Sequence, residues 1–121
     1  MIELKLTGDI VPKARPRVSF GRAYLPQNYR NWKDSAIAEL MTQYQGEPLK
    51  AVESVAIELT GKHSRRGDAD NIAGALLDAM VQGGLLVNDN LTVVPKLSIT
   101  LSYDKKEPPR CSIAIFTTLA G

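Results

Sequence analysis

Apolar and polar positions alternate at the start of the chain. Ile2, Leu4 and Leu6 are separated by Glu3 and Lys5, and a period of two over Met1 to Leu6 predicts a strand. The period changes near Asn28. Tyr29, Trp32, Ala36, Leu40 and Tyr44 recur at three or four residues, with Ile37 and Met41 beside them. That spacing predicts an amphipathic helix, which Gly46 and Pro48 should stop. Val55, Ile57 and Leu59 alternate with Ala56, Glu58 and Thr60, a second strand. A second helix is expected to begin between Asp68 and Asn71, to bury Ile72, Leu76, Ala79 and Met80, and to end at Gln82 before Gly83-Gly84. Leu85 to Val87 links it to a polar turn at Asn88-Asp89-Asn90. Thr92 to Tyr103 reads as a strand whose Pro95 keeps its start out of the middle of a sheet. Asp104 to Arg110 is a turn, and Cys111 to Thr118 the last strand.

The order is β-α-β-α-β-β, which predicts an α+β fold: one small domain over residues 1–121, a mixed sheet with two helices packed on it. The last two strands are expected to pair as an antiparallel hairpin. Pro12 to Gln27 fits neither period. It holds Pro12, Pro16, Gly21 and Pro26 among basic residues, and reads as an extended loop with a short hairpin turning at Phe20-Gly21-Arg22. Loops of this length are usually functional or mobile.

Composition narrows the chemistry. The chain has 121 residues, 44% hydrophobic and 23% charged, which is the balance of a globular domain large enough to bury a core. One cysteine, Cys111, and one histidine exclude an internal disulfide and a Cys-based zinc site, so a bound metal would be a hard ion held by oxygen. No apolar run approaches the roughly 20 residues that span a bilayer, and the N-terminus does not read as a signal peptide. A cytoplasmic protein that does not enter membranes is expected.

The net charge of +2 is unremarkable, but its distribution is not. Lys13, Arg15, Arg17, Arg22, Arg30 and Lys33 fall between Val11 and Lys33 with no acidic residue among them. A second cluster, Lys62-His63-Ser64-Arg65-Arg66, directly precedes Asp68. Local excess of one sign is the footprint of a face that binds a polyanion, although basic stretches are also ordinary solvated surface.

The segment Arg65-Arg66-Gly67-Asp68-Ala69-Asp70-Asn71 joins basic residues to two carboxylates where a loop enters a helix. Two aspartates at i and i+2 can face one ion across an extended turn, whereas inside a helix they would point apart. A divalent ion there could neutralise a phosphodiester and lower the pKa of a bound water. The same residue types are favoured helix caps, and Asn88-Asp89-Asn90 are all turn formers. The pattern therefore leaves capping and metal binding both open, and does not bring Asp89 near Asp70. Asp78, further along the helix, reads as a surface or dimer-contact carboxylate.

Taken in order, Arg65-Arg66-Gly67-Asp68-Ala69-Asp70-Asn71-Ile72, Asp78-Ala79, Gly84-Leu85-Leu86 and Asn88-Asp89 resemble the RusA family of Holliday junction resolvases. Val11-Pro12-Lys13-Ala14-Arg15-Pro16-Arg17, Arg22-Ala23-Tyr24, and Tyr29-Arg30 with Trp32 resemble its phage and bacterial members. The resemblance implies a homodimer that nicks paired strands at a four-way DNA junction with Mg²⁺, or Mn²⁺, and an origin in a phage or bacterium, at the nucleoid. It implies Asp68, Asp70 and Asp89 as metal-binding carboxylates lying together, with Asn71 beside them in the catalytic set. Lys13, Arg15, Arg17, Arg22, Lys62, Arg65 and Arg66 are the expected DNA contacts. Two departures matter. The family typically carries a lysine four residues after the second motif aspartate, where this chain has Gly74, and Asn88 stands where many members have an acidic residue. The alternative expectation is therefore a catalytically weak or inactive DNA-binding relative, with the missing charge sought from Lys62, Arg66 or the long basic loop. A purely structural domain, its aspartates acting only as caps, would leave the basic clusters without a purpose.

Overall fold

The computed structural model describes residues 1–13, 17–64 and 67–117, with Arg17 and Ser19 described by backbone alone. Along them run β1 (Ile2–Thr7), β2 (Arg17–Ser19), β3 (Arg22–Tyr24), α1 (Gln27–Gln43), β4 (Ser54–Gly61), α2 (Ala69–Gln82), β5 (Leu97–Tyr103) and β6 (Arg110–Phe116). The α+β architecture and both helices are as expected, and β2 and β3 form the short hairpin turning at Phe20 and Gly21. The strand expected from Thr92 begins later, at Leu97. The N–H groups of Val93 and Val94 are both given to the Asn90 carbonyl, so this stretch is a turn and not part of the ladder.

The expected pairing of the last two strands is not what the chain adopts. The main sheet has the order β1-β6-β4-β5. β6 lies antiparallel between β1 and β4, and β5 runs parallel to β4 at the edge. The reason lies in α2. A helix between two strands returns the chain to the end where the first strand began, so the second can pair with it in parallel. Val55 then sits opposite Leu97, Ile57 opposite Ile99 and Leu59 opposite Leu101. The chain must next cross the end of β4 to reach its other side. The crossing is held by Asp104 N–H donating to the Gly61 carbonyl (3.1 Å) and Lys62 N–H donating to the Glu107 carbonyl (2.9 Å).

One face of the sheet is buried. Leu4 and Leu6 of β1, Val55, Ile57 and Leu59 of β4, and Cys111, Ile113 and Ile115 of β6 alternate with exposed or half-buried neighbours, and all belong to the core. The helices supply the other half, with Ala36 and Leu40 from α1 and Ile72, Ala73, Leu76, Leu77, Ala79 and Met80 from α2. The opposite face stays open as a shallow groove lined by Glu3, Lys5, Glu58, Ser98, Thr100 and Ser112. A sheet with antiparallel pairs can leave one face to water in this way. Edge strand β1 is covered from the side: Lys5 N–H donates to Gln43 Oε1, and Gln43 Nε2–H donates to the Lys5 carbonyl, both at 2.7 Å. An amide side chain from α1 thus takes the place of a neighbouring strand. No helix among the described residues is long and apolar enough to cross a membrane.

Gly61 is the tightest point of this topology. Its φ is +92°, and a Cβ there would lie 2.1 Å from the Pro108 carbonyl oxygen. Gly61→Ala combines left-handed backbone strain with a steric overlap that backbone must relieve, and is expected to destabilise the fold by about 2–4 kcal/mol. Chemical denaturation should show this as a lower midpoint with an unchanged slope.

Candidate active site

The loop from β4 to α2 carries the acidic motif, and buried polar contacts fasten its start. His63 is 3% exposed. Its Nε2 lies 2.7 Å from the Arg110 carbonyl oxygen and its Nδ1 lies 3.1 Å from Asp9 Oδ1. Asp9 Oδ2 also accepts the Ser64 N–H at 2.9 Å. The imidazole thus ties the segment after β1, the end of β4 and the start of β6 to one point. His63 belongs to the basic cluster by sequence, but it is a buried tie and not a DNA-facing cation. Nothing in its local pattern marks it, because its partners lie 54 and 47 residues away.

α2 begins where the motif places it. Asp68 is the residue before the helix, in extended conformation (φ −72°, ψ 145°), and its carbonyl accepts the Ile72 N–H at 3.0 Å. Its carboxylate makes no capping hydrogen bond. Asp70 lies in the first turn, where its Oδ1 accepts the N–H of Asn71 at 3.0 Å. Asp68, Asp70 and Asn71 are all exposed. Capping was one of two readings of this pattern, yet the Asp68 side chain does not perform it. Two solvent-facing carboxylates remain at the positive end of a helix, flanked in sequence by basic residues.

Asp89 is placed elsewhere. Leu49 N–H donates to the Leu85 carbonyl, Val87 N–H to the Leu49 carbonyl and Val52 N–H to the Val93 carbonyl, so residues 85–93 run beside the approach to β4. Asp68 follows the far end of β4. α2, at 14 residues, separates the two by about 20 Å along its axis. Asn88 Oδ1 accepts the N–H groups of Asp89 (2.7 Å) and Asn90 (3.1 Å), and Asn90 Oδ1 accepts those of Thr92 (3.1 Å) and Val93 (3.2 Å). Asn88 and Asn90 thus build the turn, and Asp89 is left exposed between them. Asn88 stands at a position often acidic in the resembled family, and here its amide oxygen has a structural task.

Oxygen donors of this kind suit a hard divalent ion. However, no three His, Cys, Asp or Glu side chains among the described residues are grouped so as to hold a metal. The single chain supplies the Asp68–Asp70 pair and does not add Asp89 to it.

The basic loop is joined to α2 at Lys13. The Lys13 N–H donates to the Asn71 carbonyl at 2.9 Å, and its Nζ lies 3.2 Å from Asp78 Oδ2. Between these points its stem lies over Gly74, where a Cβ would come 3.3 Å from Lys13 Cδ. Asp78 also accepts a long hydrogen bond from the Tyr29 hydroxyl (3.4 Å), and Lys33 Nζ lies 5.3 Å from the Tyr29 ring centre. Asp78, expected as a surface or dimer-contact carboxylate, is partly buried and joins α1, α2 and the loop. Of the other expected DNA contacts, Arg22 and Lys62 are exposed. Arg15, Arg65, Arg66 and the side chain of Arg17 lie outside the described residues.

What fold and site define together is a small α+β domain with an acidic helix end beside a basic loop. The family model for endodeoxyribonuclease RusA matches residues 7–116. A relative from Aquifex aeolicus (strain VF5), the crossover junction endodeoxyribonuclease RusA, is 37% identical over 92 residues, which is 74% of this chain and 73% of that protein. The chain belongs to the RusA endodeoxyribonuclease family.

Two buried hydroxyl and thiol groups carry raised pKa values. Burial, followed by the nearby Asp78 carboxylate, pushes Tyr29 up to about 12, and burial alone pushes the Cys111 thiol up to about 12. The folded state keeps protons that the unfolded chain releases near pH 10 and 9. The share of stability these two groups contribute is thus fully present below pH 9 and is lost as pH rises towards 12. Tyr29→Phe should remove the tyrosine's share of this loss, visible as a smaller drop in melting temperature between pH 9 and pH 11. Cys111 should remain unreactive towards a thiol reagent at pH 8 until the protein is unfolded.

Proposed function

We propose that this protein is a magnesium-dependent, structure-selective endodeoxyribonuclease that resolves four-way DNA junctions by paired nicking. The observation that carries the reading is the exposed Asp68–Asp70 pair, its first carboxylate unused as a cap, in a member of an endodeoxyribonuclease family. The name of the Aquifex relative specifies crossover junctions. When bound, magnesium would neutralise the scissile phosphate and lower the pKa of a coordinated water.

A homodimer is part of the proposal. Asp89 lies about one helix length from Asp68 and Asp70 within a protomer, which supports a two-fold arrangement in which each site draws Asp89 from a second copy. Two such sites would cut two strands. Phosphate contacts fall to the basic loop, the β2–β3 hairpin and the Lys62 segment, which supply affinity and register without reading sequence. Selectivity then rests on the shape and deformability of the branched substrate.

Asp70→Asn should bind a synthetic four-way junction like the unaltered protein. Its cleavage rate in Mg²⁺ should fall on the order of a hundredfold or more, the scale of losing one transition-state electrostatic contact. Unchanged cleavage would remove Asp70 from the site. Gly74, with no charge of its own, favours a second reading as a DNA-binding relative that cuts weakly or not at all. That reading predicts salt-sensitive junction binding by the unaltered protein with little or no metal-dependent product.

A further inference from the structure

Position 74 lies midway along a row of α2. Asp70, Gly74 and Asp78 are spaced at i, i+4 and i+8, so they follow one another along a row that drifts about 40° round the helix at each step. A side chain at 74 would stand about 6 Å along the axis from Asp70. Glycine has none, but the place is not empty, because the stem of Lys13 lies across it. Its backbone is held at the first turn by Asn71 and its ammonium at the third by Asp78.

We propose that Lys13 is the phosphate-positioning cation of this acidic helix end, delivered from the N-terminal loop over Gly74 and not from α2 itself. This rests on the endonuclease reading above. Gly74 is the track that lets the stem lie close to the helix. The flexible four-carbon stem pivots there between Asp78 on one side and the Asp68–Asp70 end on the other. Asp78 holds the ammonium in the free protein. Lys13 is about half exposed (49%) and Asp78 is partly so (23%), and ion pairs in such settings contribute little. A DNA phosphate seated at the N-terminus of α2 can therefore draw the ammonium away from Asp78 at small cost. A lysine at position 74, as the resemblance leads one to expect, would bring the same charge to this helix end from α2 itself. A Cβ at position 74 would come 3.3 Å from Lys13 Cδ, so the flexible stem would have to give by a few tenths of an ångström to admit it.

The test is a charge transplant. Lys13→Ala, Gly74→Lys and the double variant are compared with the unaltered protein and with Asp70→Asn. The readouts are junction cleavage in Mg²⁺ and junction binding without metal across a salt series. Lys13→Ala should lose on the order of tenfold in cleavage and flatten the log–log salt dependence of binding by about one. The double variant should recover both to within about threefold and to the original slope, because the charge returns at position 74 although the loop's tie to Asp78 does not. Gly74→Lys alone should gain little, since Lys13 already supplies the charge there. If Lys13→Ala behaves like the unaltered protein, or if its loss is not rescued by Gly74→Lys, Lys13 only clasps the loop and the inference is overturned. If Asp70→Asn also cleaves normally, or nothing cleaves, the endonuclease reading fails instead, and the inference with it.

Discussion

The parallel pairing of β4 with β5 depends on α2 lying antiparallel to both, and most of the molecule follows from that arrangement. The register of Val55, Ile57 and Leu59 with Leu97, Ile99 and Leu101 forces the helix to start beyond the end of β4 and to finish near its beginning. The acidic motif is therefore carried to one end of the sheet, beside the β5–β6 crossing. The Asn88–Asn90 turn is carried to the other. The crossing that takes the chain from β5 to β6 needs Gly61 beneath it, because a methyl group there would meet the Pro108 carbonyl. His63 then locks the loop above this crossing to the segment that leaves β1.

Charge is distributed along the same axis. Carboxylates are favoured at a helix N-terminus, so Asp68 and Asp70 cost little as exposed surface residues. The cations come from chain segments remote in sequence. Lys13 reaches α2 from the loop after β1, and Lys33 on α1 approaches the Tyr29 ring, whose hydroxyl meets the same Asp78. Asp78 thus joins the loop and α1 to α2 and sets the resting position of the Lys13 ammonium. Asn88 and Asn90 do for the second turn what side-chain caps do for helices, which leaves Asp89 at its surface.

The elements were legible in the sequence to within a few residues because their signals are local. Period two marks β1 and β4, period 3.6 marks α1 and α2, and Gly83 stops α2 where the pattern ends. The position of the acidic motif at a loop-to-helix junction was equally legible, since an Asp-x-Asp pair can converge only outside regular helix. The ordered residues also carried the family. Other features were not legible: the pairing partner of β6, the burial of His63, the distance from Asp89 to Asp70, and the occupant of the space beside Gly74. Each depends on residues tens of positions apart, such as His63 with Asp9 and Lys13 with Asp78. No period or spacing encodes such a meeting.

The sequence by itself therefore determined the inventory: an α+β domain, two helices, an acidic motif at the start of the second, and basic residues on either side. Local backbone preference and hydrophobic periodicity suffice for that. The tertiary structure alone decided the strand order, the separation of the motif aspartates from Asp89 along α2, and the passage of Lys13 over a helix that has only Gly74 to offer there. These are outcomes of how β4, α2 and β5 pack. Packing is a property of surfaces brought together by the whole chain, which no local stretch of sequence contains.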